Sequence, residues 1–92
     1  MILGLYAVFD VCSGVYDGPF PQRADAEAQR NFTGMVNKVD SPIGQNPEDF
    51  TLFKVGVWND ATGEIEKMPA KKLLNGAEAV SNVIKLKEAQ DA

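Results

Sequence analysis

The chain has 92 residues, enough for one small domain that buries a modest fraction of its surface. It is 45% hydrophobic and 24% charged, which excludes the disordered class of proteins. The net charge is -4, and residues 1–66 carry ten acidic and four basic side chains. This acidity argues against strong nonspecific binding of DNA, which depends mainly on Lys and Arg contacts to phosphates.

The first twenty-two residues predict a β-hairpin. In "GLYAVFDV", Leu5, Ala7, Phe9 and Val11 alternate with Tyr6, Val8 and Asp10, which is the period of a strand. Ser13 and Gly14 supply the turn, and Gly14 can adopt the positive φ that such a turn requires. Because Pro19 and Pro21 cannot donate to a sheet ladder, we expect the return strand "VYDGPFPQ" at an edge.

The segment "ADAEAQRNFTGMVNKV" predicts an amphipathic helix. Its apolar stripe consists of Ala24, Ala28, Phe32, Met35, Val36 and Val39. Gly34 lies inside this helix at a cost of about 1 kcal/mol relative to alanine, which indicates either close packing or mere tolerance, and we favour close packing on the sheet. The helix must end before Pro42, and Asn46 with Pro47 predicts a tight turn in a stiff connecting loop.

The segment "FTLFKVGVW" is the strongest strand and is predicted to be central. The alternation places Phe53, Val55 and Val57 on one face and Leu52, Lys54, Gly56 and Trp58 on the other. Gly63 predicts a second hairpin turn, after which "EIEKM" runs back until Pro69 stops it.

Residues 71–92 predict a short C-terminal helix, since Ala77, Val80, Val83 and Ile84 recur at helical spacing. The predicted fold is therefore α+β, with a small antiparallel sheet of about four strands in the order β-β-α-β-β and one packed helix. We expect residues 1–70 to form the domain and residues 71–92 a helical extension.

No constellation of catalytic residues is evident. The chain has no histidine and one cysteine, which argues against a zinc site and against the commonest general base. Glu64 and Glu66 form a carboxylate pair on one strand face, but solvated edge-strand charges are the commoner explanation. Cys12 and Ser13 are explained as turn residues without a neighbouring base. We expect no enzyme activity, no metal and no cofactor.

We expect the protein to stay in the compartment where it is made. No apolar run approaches the length of a membrane span, and "MILGLYAVFDV" lacks the basic region of a signal peptide. The single cysteine fits a reducing compartment. We expect a cytoplasmic protein that does not contact a membrane.

The aromatic residues suggest a binding surface. Exposed aromatic rings on a sheet, with basic residues beside them, stack the bases of single-stranded nucleic acid. Tyr6, Lys54 and Trp58 are predicted to share such a face, with Arg23 and Arg30 near the phosphates. Alternatively, the rings fill a small core or a dimer interface.

Two segments resemble a known family: "LYAVFDVCSGVYDGPFPQRADAEAQRNF" and "VNKVDSPIGQNPEDFTLFKVGVWNDATGEI" are similar to the small nonstructural protein of gokushovirus-type microviruses, which are single-stranded DNA phages. The resemblance covers residues 3–66. The matching positions are Ala28, Arg30, Phe32, Ser41, Pro42, residues 46–50, Leu52, Gly56, Asp60 and residues 62–64. Val11, Cys12 and the longer C-terminal helix depart from the pattern.

The resemblance implies a nonstructural protein that acts on phage DNA in the cytoplasm of a host bacterium, when replication gives way to packaging of the single strand. Two hypotheses follow. In the first, single-stranded DNA is held by Tyr6, Arg23, Arg30, Lys54, Trp58, Lys67, Lys71 and Lys72. In the second, the protein is a homodimeric adaptor that links the viral replication machinery or the procapsid through protein contacts without binding DNA. We favour the first, although the acidic charge favours the second.

Overall fold

The computed structural model describes residues 1–80 of the chain. The strands are β1 (Ile2–Asp10), β2 (Val15–Gln22), β3 (Phe50–Asn59) and β4 (Ile65–Asn75). Between β2 and β3 lie the helix α1 (Asp25–Val36), the single turn α2 (Pro42–Gln45) and a 3-10 turn at Pro47–Asp49. Residues 76–80 are helical. The predicted α+β fold with β-β-α-β-β order is confirmed.

The strands form one antiparallel sheet in the spatial order β2-β1-β3-β4. The predicted central position of β3 and edge position of β2 are therefore confirmed. Both hairpins use the predicted glycines in the left-handed region, with φ of 73° at Gly14 and 79° at Gly63. Glycine reaches this region without the steric cost that other residues incur.

The core lies between the sheet and α1. Ala28, Phe32 and Val36 of the predicted stripe are buried, and they pack with strand side chains that include Tyr6, Val8, Leu52 and Leu74. The prediction is wrong at the two ends of the stripe. Ala24 is exposed, and Val39 is 83% exposed because the helix ends at Val36.

Gly34 also differs from the prediction. It is exposed on α1, and a Cβ atom built on it would meet nothing within 4 Å. The favoured interpretation, close packing on the sheet, is therefore wrong, and no contact among residues 1–80 explains a glycine at this position.

The loop between α1 and β3 is held by Ser41. Its Oγ accepts a hydrogen bond from the Gly44 amide at 2.9 Å and donates one to the Lys38 carbonyl at 2.8 Å. Pro42 occupies the first turn of α2, where its missing N–H costs nothing. Gly44 lies so close to the Lys38 carbonyl that a Cβ atom would overlap it. The predicted stiff joint thus contains one capped helical turn.

β4 does not stop at Pro69 but continues to Asn75, so the predicted strand end is wrong. The register passes from Lys54↔Lys71 to Gly56↔Lys67, which leaves residues 68–70 in a bulge. Proline is tolerated there because no ladder hydrogen bond is required of it. The C-terminal helix begins at residue 76 rather than 71, and its predicted positions Val83 and Ile84 lie outside the described residues.

Candidate functional site

The two faces of the sheet differ. α1 packs on the face that carries Tyr6, Val8 and Leu52, which we call the helix face. Side chains of directly paired residues point to the same side of a sheet, so the register assigns the rest. The opposite side, here called the open face, carries Leu3, Leu5, Ala7, Phe9, Tyr16, Pro21, Thr51, Phe53, Gly56, Trp58, Ile65, Lys67, Lys72 and Asn75. No helix within residues 1–80 packs on it.

Three aromatic rings meet on the open face. The ring of Phe9 on β1 lies 4.9 Å from that of Tyr16 on β2, between centroids, and 6.5 Å from that of Phe53 on β3. Tyr16 and Phe53 are 5.6 Å apart at an interplanar angle of 79°. We call these three rings the aromatic trio. None of them is fully buried, so the trio presents π surface to solvent.

Trp58 lies on the same face toward the other end of β3, opposite Leu3 and Ile65. At about 3.4 Å per strand residue, roughly 15 Å separates it from Phe53. Lys67 and Lys72 on β4 border this stretch, because they pair with Gly56 and Phe53. The open face therefore offers aromatic surface at both ends and two ammonium groups along one side.

Tyr6 and Lys54 do not share a face with Trp58, so that part of the predicted platform is wrong. The register changes between Leu5↔Gly56 and Tyr6↔Lys54, which leaves Val55 as an extra residue on β3. Such a bulge reverses the side-chain alternation beyond it. Tyr6 is 1% exposed beneath α1 and cannot stack a base.

On the helix face, Asp25 joins Tyr6 and Lys54. The Tyr6 hydroxyl donates to Asp25 Oδ1 at 2.6 Å, and Lys54 Nζ lies 3.5 Å from the same oxygen. Burial, followed by the bond to Asp25, raises the pKa of Tyr6, and the Tyr6 hydrogen bond holds the pKa of Asp25 below its usual value. Lys71 is the neighbour of Lys54 across the β3–β4 ladder, and its positive charge also lowers the pKa of Asp25. This cluster holds α1 on the sheet.

The two predicted arginines are also apart from the open face. Arg30 is exposed on α1, and Arg23 is exposed in the link between β2 and α1. Of the eight predicted binding residues, the register brings together three on the open face, which are Trp58, Lys67 and Lys72. Of the other five, Tyr6, Lys54 and Lys71 are on the helix face. Arg23 and Arg30 lie outside the strands.

Charge is divided between the two faces of the sheet. The strands carry three carboxylates, Asp10, Asp17 and Glu66, and the register places all three on the helix face. On the strands, the open face carries lysines and no carboxylate. The net acidity of the chain therefore does not describe the open face, where an anion would meet positive charge.

A cavity lies on the helix face, between the β1–β2 hairpin and the helices. Its volume is about 600 Å³, and its walls include Val8, Met35, Ile43 and Phe50. Asp10, Asp17 and Lys38 also line it. The volume lies within the range of small-ligand sites, but the cavity holds no close group of catalytic side chains.

Cys12 and Ser13 behave as turn residues. The Cys12 thiol donates to Asp49 Oδ2 at 3.5 Å, and this bond raises the pKa of the thiol, which disfavours the nucleophilic thiolate. Ser13 Oγ donates to the Asp10 carbonyl. Among residues 1–80, no three His, Cys, Asp or Glu side chains are grouped as a metal site, and no helix is long and apolar enough to cross a membrane.

The trio was missed because its members were distributed over separate predicted strands. One signal was present: a four-residue turn ending at Gly14 pairs Phe9 directly with Tyr16. The addition of Phe53 depends on the pairing of β1 with β3, which joins residues more than forty positions apart. No local pattern specifies that pairing.

Fold and site together define a small α+β protein with one helix-covered sheet face and one exposed aromatic face. The chain belongs to the phage ORF5 protein family, whose model matches residues 3–80. It is therefore a phage protein. Neither the search of curated proteins nor the search of solved structures found a match.

Proposed function

We propose that this phage protein is a non-enzymatic nonstructural protein that binds single-stranded DNA on the open face of its sheet. The observation that carries the proposal is the aromatic trio, in which Tyr16 is exposed and Phe9 and Phe53 are half-buried, on a face where the strands carry lysines but no carboxylate. Membership of the phage ORF5 family supports a role in the phage life cycle.

We also propose a stage of the phage life cycle at which the protein acts. The resemblance of residues 3–66 to microvirus nonstructural proteins points to genome replication and packaging in the host bacterial cytoplasm. A protein with this role binds the displaced or newly made single strand before that strand enters the capsid. Binding must then be reversible, because the strand passes onward into the particle.

Base stacking provides the attraction. Every base has a π face, so rings such as Phe9 and Phe53 accept bases of any identity, at about 1–3 kcal/mol per base. The two rings lie on the central strands of a four-stranded antiparallel sheet, the position that RNA-recognition sheets use for stacking. That likeness is one of architecture alone. Duplex bases are stacked on each other, so single strands are preferred.

Electrostatics predicts a moderate salt dependence. Each phosphate contact on a single strand contributes about 0.7 to the slope of log affinity against log salt concentration. Two lysines on the open face, each free to contact a phosphate, set an upper limit of roughly -1 to -2 on the slope. A steeper slope would indicate that phosphates also contact basic residues elsewhere.

The proposal is tested by fluorescence polarisation of a labelled single-stranded oligonucleotide at low and physiological salt, with its duplex as competitor. Phe53→Ala should weaken binding by about 1–3 kcal/mol through lost stacking. Lys67→Gln should weaken binding and flatten the salt slope. The matched control is Lys71→Gln, which removes the same charge from the helix face of the same strand and should have a small effect.

Binding that is lost equally in Lys67→Gln and Lys71→Gln would place DNA elsewhere on the protein. Absence of binding at high micromolar protein concentration and low salt would reject the proposal altogether. Circular dichroism of each variant shows whether its fold persists.

A homo-oligomeric adaptor is the second candidate. It is favoured by apolar side chains left in solvent on the open face, where Ile65 is 70% and Tyr16 46% exposed. In that case two copies, or one copy and a viral replication or capsid protein, cover the face. Sedimentation that shows a concentration-dependent dimer abolished by Trp58→Ser and Ile65→Ser, without DNA binding, would favour the adaptor.

A further inference from the structure

One of the two lysines on the open face is already paired within the chain. Lys72 Nζ lies 2.9 Å from Glu78 Oε1, and the two side chains are 56% and 51% exposed. Lys67 takes part in none of the ion pairs among residues 1–80. The two ammonium groups thus differ in what a phosphate must displace to reach them.

Glu78 is presented by a well-anchored turn. Asn75 Nδ2 donates to the Phe50 carbonyl at 3.3 Å and to Thr51 Oγ1 at 3.0 Å, and Asn75 Oδ1 accepts from the Ala77 amide at 2.9 Å. Gly76 lies directly against the Pro47 carbonyl. The helical segment 76–80 therefore starts from a fixed point at the end of the sheet, with Glu78 beside Lys72.

We propose that Glu78 competes with the nucleic-acid phosphate for Lys72 and so lowers the affinity of the open face for single strands. The inference rests on the proposed function, since it concerns how that same face is regulated. A carboxylate held beside Lys72 is a built-in substitute for a phosphate oxygen. It keeps binding weak enough for the strand to be passed on.

The competition has a signature in the salt dependence. When a phosphate takes Lys72 from Glu78, the released carboxylate recruits a cation from solution, which offsets one counterion that the strand gives up. The wild-type slope is therefore shallower than the number of lysine contacts implies. Removing Glu78 should steepen the slope by about 0.7, the value of one phosphate on a single strand.

The experiment measures binding of labelled oligothymidine to full-length Glu78→Gln over a series of salt concentrations. Because exposed ion pairs are weak, we expect affinity at low salt to rise about two- to five-fold. Glu66→Gln is the matched control: it removes the same charge from an exposed residue of β4 on the helix face. It should leave the slope unchanged, because Glu66 takes part in none of the ion pairs among residues 1–80 and so no carboxylate is released from it when a phosphate binds.

A Lys72→Gln background isolates the contact, because Glu78→Gln should have no further effect once its partner is absent. Equal effects of Glu78→Gln and Glu66→Gln, or an effect that persists without Lys72, would overturn the inference. Binding that needs Phe53 but ignores Glu78 would overturn the inference alone. If neither the wild type nor Glu78→Gln binds, the proposed function fails and the inference fails with it.

Discussion

At the scale of the residue, Asp25 is the point where helix and sheet are joined. It accepts the hydrogen bond of Tyr6 and lies beside Lys54. Because its pKa in the folded state is lowered, its contribution to stability is present above pH ~4 and is lost as the pH falls through the folded pKa. Tyr6 behaves oppositely: its raised pKa makes its contribution complete below pH ~10 and lost above it.

Replacing Tyr6 by Phe removes the hydroxyl and leaves the ring. We expect the free energy of unfolding to fall by about 1.5–3 kcal/mol at neutral pH, the value of a hydrogen bond to a charged group. Urea unfolding at pH ~7 and pH ~10.5 should show that the wild type loses more stability than Tyr6→Phe over this interval. Tyr16→Phe is the control, because the Tyr16 hydroxyl has no hydrogen-bond partner in the described part of the chain.

The prediction would be contradicted if both tyrosine variants lost stability equally at neutral pH. It would also fail if Tyr6→Phe kept the full alkaline loss of the wild type, since another group would then carry the pH dependence.

At the scale of the element, β3 and β4 determine which residues meet. Val55 on β3 and residues 68–70 on β4 are out of register at the same level of the sheet. The irregularity accommodates Pro69 and turns Trp58 to the open face while Lys54 stays on the helix face. Regular pairing there would have placed Trp58 on the same side as Lys54, under the helix layer.

Two glycines in helical segments should respond oppositely to alanine. Gly34→Ala on α1 meets open space and gains helix propensity, so stability should rise by about 0.5–1 kcal/mol. In Gly76→Ala the new Cβ atom overlaps the Pro47 carbonyl, and stability should fall by more than about 1 kcal/mol. Thermal and denaturant unfolding measure both changes, and a stabilised Gly76→Ala would show that this contact is loose.

At the scale of the whole molecule, one sheet is covered on one side by a single helical layer. A domain of this size has a small margin of stability. Most of its buried apolar side chains belong to the core on the helix face, so that face provides most of the stability. The open face can then carry exposed rings for binding at a modest cost in stability. Stability and binding are thus divided between the two faces.

This division predicts different consequences for two phenylalanine truncations. Phe32 is fully buried under the sheet, and Phe32→Ala should cost about 3–5 kcal/mol, enough to unfold much of the protein. Phe53→Ala, on the open face, should cost less, about 1–2 kcal/mol from the lost ring contacts with Phe9 and Tyr16, and leave a folded protein. Denaturant unfolding of both variants checks this, and equal losses would mean that the open face is part of the core.

The local elements were predictable because their causes lie within a few residues. The turns at Gly14 and Gly63, the edge position of β2 and the buried stripe through Ala28, Phe32 and Val36 follow from backbone preference and periodicity. The length of β4 was not predictable from Pro69, because the bulge that tolerates this proline depends on β3.

The candidate site shows the same limit. Aromatic and basic residues on strands were visible in the sequence, and Trp58, Lys67 and Lys72 do share a face. The sequence by itself determined the α+β class, the hairpins and the supply of rings and charges, because these depend on local conformation and composition. Strand pairing and helix packing place Tyr6 in the core, bring Phe9, Tyr16 and Phe53 together, and set Lys72 beside Glu78. The physical reason is that strand register is a long-range property, and one extra residue at Val55 exchanges the two faces.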